Sequence, residues 1–179
     1  MNRGRAGRTG PSVRRAAPGR GGAERRYALI KWALLAALLV YTVLVVGANA
    51  ARDVDIEVVR QALAAAPGLS ELKQIDENGL QERLDATAEG CEAWVMFGSD
   101  EIMNVSELLV ARGDEAALDD LEAAVQGRLE AQLSVFRSYG TDQKALLEGA
   151  TVRRRGRWLF YAVGNEADRW EDAFLSCIR

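Results

Sequence analysis

The sequence holds no histidine. That removes histidine-based catalytic triads, histidine zinc sites and histidine proton shuttles before any motif is sought. Cysteine is nearly absent: Cys91 and Cys177 are the only two, and with no Cys-x-x-Cys pair a thiol oxidoreductase is disfavoured. The first 22 residues hold almost no aliphatic side chains, yet they carry six of the 17 glycines and two of the 3 prolines. Such a segment cannot bury enough apolar area to offset the entropy of ordering it, so it is expected to be disordered. At 179 residues the chain has room for one ordinary domain and some extra, not for two full domains.

Charge divides the chain sharply. Residues 1–31 contain eight arginines and Lys31 against the single acid Glu24, a net of +8, whereas the remaining residues net −11. Between these regions, residues 32–51 (WALLAALLVYTVLVVGANAA) include no charged side chain. Twenty residues at 1.5 Å each make about 30 Å of helix, the thickness of a bilayer's hydrocarbon core. Tyr27, Lys31 and Trp32 stand where aromatic and basic groups anchor a helix at the membrane interface. The expected organisation is a cytoplasmic Arg/Gly tail over 1–26, a transmembrane signal anchor over 27–51 and an extracytoplasmic domain over 52–179. The basic flank stays inside, and the tail could add contacts to anionic lipid headgroups.

An alternative remains open. Ala48-Asn49-Ala50 is a small-x-small triplet where signal peptidase could cut after Ala50 and release the domain. No cysteine lies near the segment, which excludes a lipoprotein anchor on a cleaved N-terminal cysteine. Arg25-Arg26 with Leu29 matches a twin-arginine signal poorly, because Ala28 stands where a bulky apolar residue is expected.

The outer domain reads as α+β. Helices are expected over 55–65 and 77–86, a short extended or helical piece over 70–75, and strands over 91–97 and 105–112 with a loose connection. A long helix over 114–138 follows from the stripe Leu118, Leu121, Val125, Leu129, Leu133 and Phe136. Residues 150–154 and 158–163 flank Arg155-Gly156 as a hairpin. Asn165 is expected to cap a last helix over 166–177. The ββα-ββα order predicts an antiparallel sheet of about four strands with helices on one face.

The run ELLVARGDEAALDDLEAAVQGRLEAQ, then Tyr139-Gly140, then GATVRRRGRWLFYAVG resembles the bacterial domain of unknown function 4358. The matching features are a strand ending in Arg112, the Gly113-Asp114 turn, a long helix carrying Gln132, and the hairpin pattern of Gly156 with Trp158 and Phe160. The resemblance extends over roughly 55–174. It implies an exported, lipid-anchored or membrane-anchored protein and supplies no activity. This chain departs from the family in lacking a lipobox and in its long Arg/Gly tail.

Several constellations invite a function, and each has a plainer reading. Cys91 and Cys177 share the expected outer domain, where a disulfide would contribute about 4–5 kcal/mol by loop closure; two unrelated thiols are the alternative. Arg153, Arg154, Arg155 and Arg157 form a candidate anion-docking hairpin, since guanidinium forks suit phosphate and carboxylate. They could equally be a solvated tip guarding a sheet edge. Ser70-Glu71-Leu72-Lys73 matches an SxxK string without its partner motifs, so Ser70 reads as a helix cap. The pairs Asp76-Glu77, Asp100-Glu101, Asp114-Glu115, Asp119-Asp120 and Glu171-Asp172 fit no calcium loop and read as helix first-turn or surface charge. Asn104-Val105-Ser106 is a formal glycosylation sequon. Trp94, Trp158, Phe160, Tyr161 and Trp170 could line an aromatic pocket, or form the core of a small domain.

No catalytic, cofactor or metal site is assigned. The functional expectation is a non-enzymatic binding or scaffolding module of the bacterial envelope, partnered by the membrane and by an envelope protein or anionic polymer, with no nucleic acid. A secreted domain and a small carboxylate-based envelope enzyme are the alternatives.

Overall fold

The computed structural model describes residues 21–49, 51–138 and 140–179, with side chains placed for Tyr27, for 29–43 and from Ala51 onward, apart from residue 139. The expected disorder of the tail before Gly21, the Arg25-Arg26 side chains, Ala50 of the cleavage triplet and the family-like Tyr139 all lie outside the described residues. The chain divides into two units, Met1–Val46 and Gly47–Arg179.

The first unit is described from helix α1, Gly21–Asn49, which begins ahead of the Tyr27 boundary read from sequence. Its apolar side chains, among them Leu34, Leu38 and Tyr41, are exposed all round the helix. Thr42 satisfies its hydroxyl locally by donating to the Leu38 carbonyl at 2.8 Å. Among the described residues, no helix is long and apolar enough to cross a membrane.

The second unit is built on five antiparallel strands: β1 Lys73–Ile75, β2 Cys91–Gly98, β3 Glu107–Gly113, β4 Thr151–Arg155 and β5 Trp158–Val163. Their spatial order is β1-β2-β3-β5-β4. The expectation of about four strands is thus corrected by β1. Three residues carry little strand signal, and Lys73-Gln74-Ile75 becomes a strand only through pairing with Gly98, Phe97 and Met96 of β2.

Helices cover both faces of this sheet, not one. On the first face lie α2 (Ile56–Ala64) and α6 (Ala167–Ile178). They bury Val59, Leu63, Trp170 and Phe174 against Val95, Phe97, Leu108, Val110, Trp158 and Phe160. The other face carries α3 (Glu77–Leu84), α4 (Glu115–Val135) and α5 (Thr141–Glu148). There Leu80, Leu118, Leu121, Val125 and Leu147 pack on Met96, Leu109, Ala111, Leu159 and Tyr161. The physical reason is visible in β3 and β5: residues 108–111 and 158–163 are buried without interruption, the pattern of strands covered on both sides.

Local chemistry sets the helix ends. Asp55, Asp76 and Asp114 accept hydrogen bonds from the backbone of Glu57, Gly79 and Ala117, capping α2, α3 and α4. The long helix is therefore as expected, though it ends at Val135. Asn165 does not cap α6: the preceding turn closes by Ala167 N–H donating to the Gly164 carbonyl at 3.2 Å, and Glu166 occupies the N-cap without a side-chain capping bond, its carboxylate pairing with Arg169 instead. Gly164 (φ +152°) lies so close to the Trp170 ring that a Cβ would come within 3.0 Å of it.

The second unit begins with a docked strap. Arg52 N–H donates to the Ile178 carbonyl at 2.8 Å, and Trp158 Nε1–H donates to the Arg52 carbonyl at 3.2 Å. Arg112 bonds the Asp53 carboxylate and donates to the Val54 carbonyl at 2.7 Å, while its guanidinium lies 5.5 Å over the Trp158 ring.

Candidate functional site

The arginine hairpin is matched from within. Side chains alternate along β4, and helices stand on both sides of it. Arg153 therefore reaches Glu171 of α6 at 3.1 Å, whereas Arg154 reaches Asp119 and Glu122 of α4 at 3.3 and 3.6 Å. Arg157 pairs with Glu92, and Arg155 is not free either. The four cations predicted to gather for an external anion are thus distributed over two faces, and three are ion-paired to carboxylates of the same unit. That is the geometry of an edge strand clamped to its flanking helices, with arginines that discourage further strand addition.

The predicted disulfide is not formed: Cys91 and Cys177 are free thiols, both half-buried. Cys91 packs against the α3–α5 face and Cys177 against the α2–α6 face, so the sheet separates them. Burial and the nearby Asp114 carboxylate push the Cys91 thiol up from its ordinary value, which leaves less of it as the reactive thiolate at neutral pH. The candidate aromatic pocket is not assembled: Trp158, Phe160 and Trp170 are core beneath α2 and α6, whereas Tyr161 is core on the other face, where half-buried Trp94 also packs. Phe174 stacks on Phe160 at 5.1 Å and meets Trp158 edge-on at 5.9 Å, and Trp170 Nε1–H donates to the Pro67 carbonyl at 2.8 Å.

Sequence reasoning missed a buried ionic cluster. Glu107, only 1% exposed, accepts from Arg128 Nε at 2.7 and 2.9 Å and from the Tyr161 hydroxyl at 2.5 Å. Arg128 also donates to the Arg83 carbonyl at 2.8 Å. The Arg83 guanidinium lies 3.8 Å from Glu107 and donates to the Ser99 carbonyl at 2.9 Å. Burial opposes the Arg128 charge, but its bond to Glu107 leaves the group more basic than usual. Burial, and then the Glu107 charge, raise the Tyr161 phenol well above its ordinary value. Through these bonds the cluster ties α3 and α4 to β3 and β5.

One concavity combines size with ungrouped polar chemistry. A cleft of about 670 Å³ is lined by Glu71, by Glu101, Met103, Asn104 and Ser106 of the β2–β3 loop, by Asp142, Gln143, Ala145 and Leu146 of α5, and by Asn165 after β5. It lies at the end of the sheet where β2 and β5 stop and β3 starts, away from the strap and the hairpin turn. The loop is closed at its base by Ser99 N–H donating to the Ser106 carbonyl at 3.1 Å, and Asn104 Oδ1 accepts from Ser106 N–H at 2.9 Å. These contacts make the Asn104-Ser106 sequon a folded turn. At the loop tip Ile102 is 98% exposed.

The cleft residues come from four separated segments, which is why no linear motif announced them. Sequence reading had met Glu101 as half of an acidic pair, Asn104 as a sequon and Asn165 as a cap, without a reason to join them. The other acidic pairs disperse: Asp76 and Asp114 cap helices, Asp100 binds Lys73, and Asp119 and Glu171 face hairpin arginines. Among the described residues no group of three or more His, Cys, Asp or Glu side chains is placed to hold a metal ion.

Comparison with known proteins agrees with the family features of the long helix and hairpin. No curated protein and no solved structure matches the chain. A family profile described as a domain of unknown function (DUF4358) matches residues 65–164, a span that holds all five strands and α3–α5 but leaves α2 and α6 outside. With more than half of its length so matched, the chain belongs to the domain of unknown function 4358 family.

Proposed function

We propose that this protein is a single-pass component of the bacterial cell envelope, with its basic tail in the cytoplasm and its α+β unit outside, acting as a non-enzymatic binding or scaffolding module. The observation that carries the reading is the uncharged run of 32–51 between a +8 tail and a −11 remainder. Side chains of α1 are described as far as Val43. The uncharged sequence continues to Ala51, and it is the whole run that reaches about 30 Å as helix. A binding role is supported by the cleft at the free end of the sheet. A carboxylate enzyme is disfavoured because most acidic pairs are occupied in caps and ion pairs.

Ile102→Cys provides the test, because this loop-tip position is almost fully exposed while the native thiols are half-buried. In intact spheroplasts a membrane-impermeant maleimide is expected to label the variant well above the wild-type background. Labelling only after permeabilisation would place the unit inside and overturn the proposal.

Release by signal peptidase is the second reading, favoured by one structural observation. Ala51 packs against the core and Arg52 bonds Ile178, and a cut after Ala50 would leave both contacts intact. The intact masses of the chain in the membrane and secreted fractions distinguish the two.

A further inference from the structure

We infer that the cleft beside the β2–β3 loop is a docking site for a cationic peptide segment of a partner protein, an inference that rests on reading the unit as a binding module. Among the described residues the lining includes three carboxylates (Glu71, Glu101 and Asp142), three carboxamides (Asn104, Gln143 and Asn165) and no basic side chain. The cations nearest in sequence are held elsewhere, Lys73 by Asp100 and Lys144 by Glu148. A site of this composition repels phosphates and carboxylates and attracts ammonium or guanidinium groups.

Its size, about 670 Å³, falls within the range of roughly 300–1,000 Å³ typical of ligand clefts. The carboxamides can each donate to and accept from a peptide backbone. Apolar surface is supplied by Met103, Ala145 and Leu146 in the lining and by Ile102, which projects from the same loop almost wholly uncovered. An exposed isoleucine next to a polar cleft suits a ligand with both aliphatic and charged parts, such as a lysine-bearing or arginine-bearing segment. A sugar fits less well, because among the described residues no aromatic ring lines the cleft to stack against a pyranose face. The excess of negative charge over the rest of the chain from residue 32 onward would speed the approach of such a segment and make it salt-dependent.

The contrast with the hairpin strengthens the assignment. There, charges are satisfied by the unit's own opposite charges. In the cleft Glu71, Glu101, Gln143 and Asn165 make no side-chain hydrogen bond or ion pair with the described residues, apart from the Glu101 backbone N–H donated to Ser99 Oγ. Their groups remain available to a ligand.

The test uses the full chain in detergent micelles, titrated calorimetrically with an amidated Lys-Leu-Lys peptide, a matched Glu-Leu-Glu peptide and a glucosamine trimer. The expected result is saturable binding of the lysine peptide alone, weakened about tenfold by the isosteric set Glu71→Gln, Glu101→Gln and Asp142→Asn, as loss of three exposed ion pairs implies. The remote control Glu130→Gln with Asp168→Asn should bind as wild type, and unchanged thermal unfolding of both variants would exclude misfolding. No binding of the lysine peptide, equal weakening by the control set, or tighter binding of the glucosamine trimer would each overturn the inference. An internal location for Ile102→Cys would defeat the envelope reading while leaving the binding result standing, so the two failures are distinguishable.

Discussion

The two faces of the sheet solve the same burial problem with different chemistry. Beneath α2 and α6 the contact is apolar and aromatic: Trp158, Phe160 and Phe174 form an edge-and-stack group, with Leu63, Leu108 and Val110 around it. Beneath α3 and α4 the apolar packing is interrupted by Glu107, Arg128 and Tyr161. The first face gains from area removed from water and from close packing, which depend on volume. The second adds a desolvated charge whose cost is offset only while all its partners remain. The first face should therefore tolerate changes that conserve volume, and the second should punish any change that removes a partner.

The sharpest way to break that contrast is Arg128→Met. Leaving Glu107 without its main partner is expected to destabilise the unit by about 3–5 kcal/mol, measured by urea unfolding of the full chain in detergent through tryptophan fluorescence. A loss below 1 kcal/mol would show that the buried charge is not held by Arg128. Combining Arg128→Met with Glu107→Leu and Tyr161→Phe should recover much of the loss, because an apolar replacement of a buried ionic group is often neutral or stabilising by about 1–4 kcal/mol. If the triple variant were no better than the single one, the cluster would be a source of stability in its own right.

Volume-conserving exchange on the aromatic face, such as Leu63→Met, should cost less than about 1.5 kcal/mol in the same assay. Alkaline titration gives a further distinction. Below about pH 10 both folded and unfolded Tyr161 keep their proton, so its contribution is complete there. Above that, the unfolded chain releases the proton first, because the folded phenol is raised, and stability falls as pH climbs. Tyr161→Phe should remove this part of the alkaline decline, whereas Leu63→Met should leave its pH dependence unchanged. The smallest effect is expected at the hairpin: Arg153 is mostly exposed against Glu171, and Arg153→Ala should change stability by under about 1 kcal/mol.

The main helix and the hairpin were legible because their signals are local. The apolar stripe from Leu118 to Leu129 and the Asp114 cap place α4, and Gly156 between two β-rich runs marks the turn. The covered second face was also written in the chain, since uninterrupted apolar residues in both β3 and β5 need cover on each side, though alternate placement of helices on one face had been expected. What could not be read depends on distant partners. β1 exists through the far end of β2. Glu107 sits at an ordinary strand position, and its partner Arg128 lies 21 residues away on a helix whose neighbouring Val125 and Leu129 are core. An acid in register with Leu109 and Ala111, together with a base beside an apolar stripe, was the only available hint. The cleft had no such hint, because its walls meet only after folding.

The bond between Arg52 and Ile178 brings the entry strap of the folded unit beside the end of α6. For gene architecture this makes the unit a cassette: its entry and its last helix meet at one place, so the whole could be spliced into a loop of another protein without crossing the sheet. The same adjacency favours circular permutation of the unit, with the strap and the end of α6 joined by a short linker and a new opening at the exposed tip around Ile102. A fold arranged in this way can change its genetic context while retaining its interior.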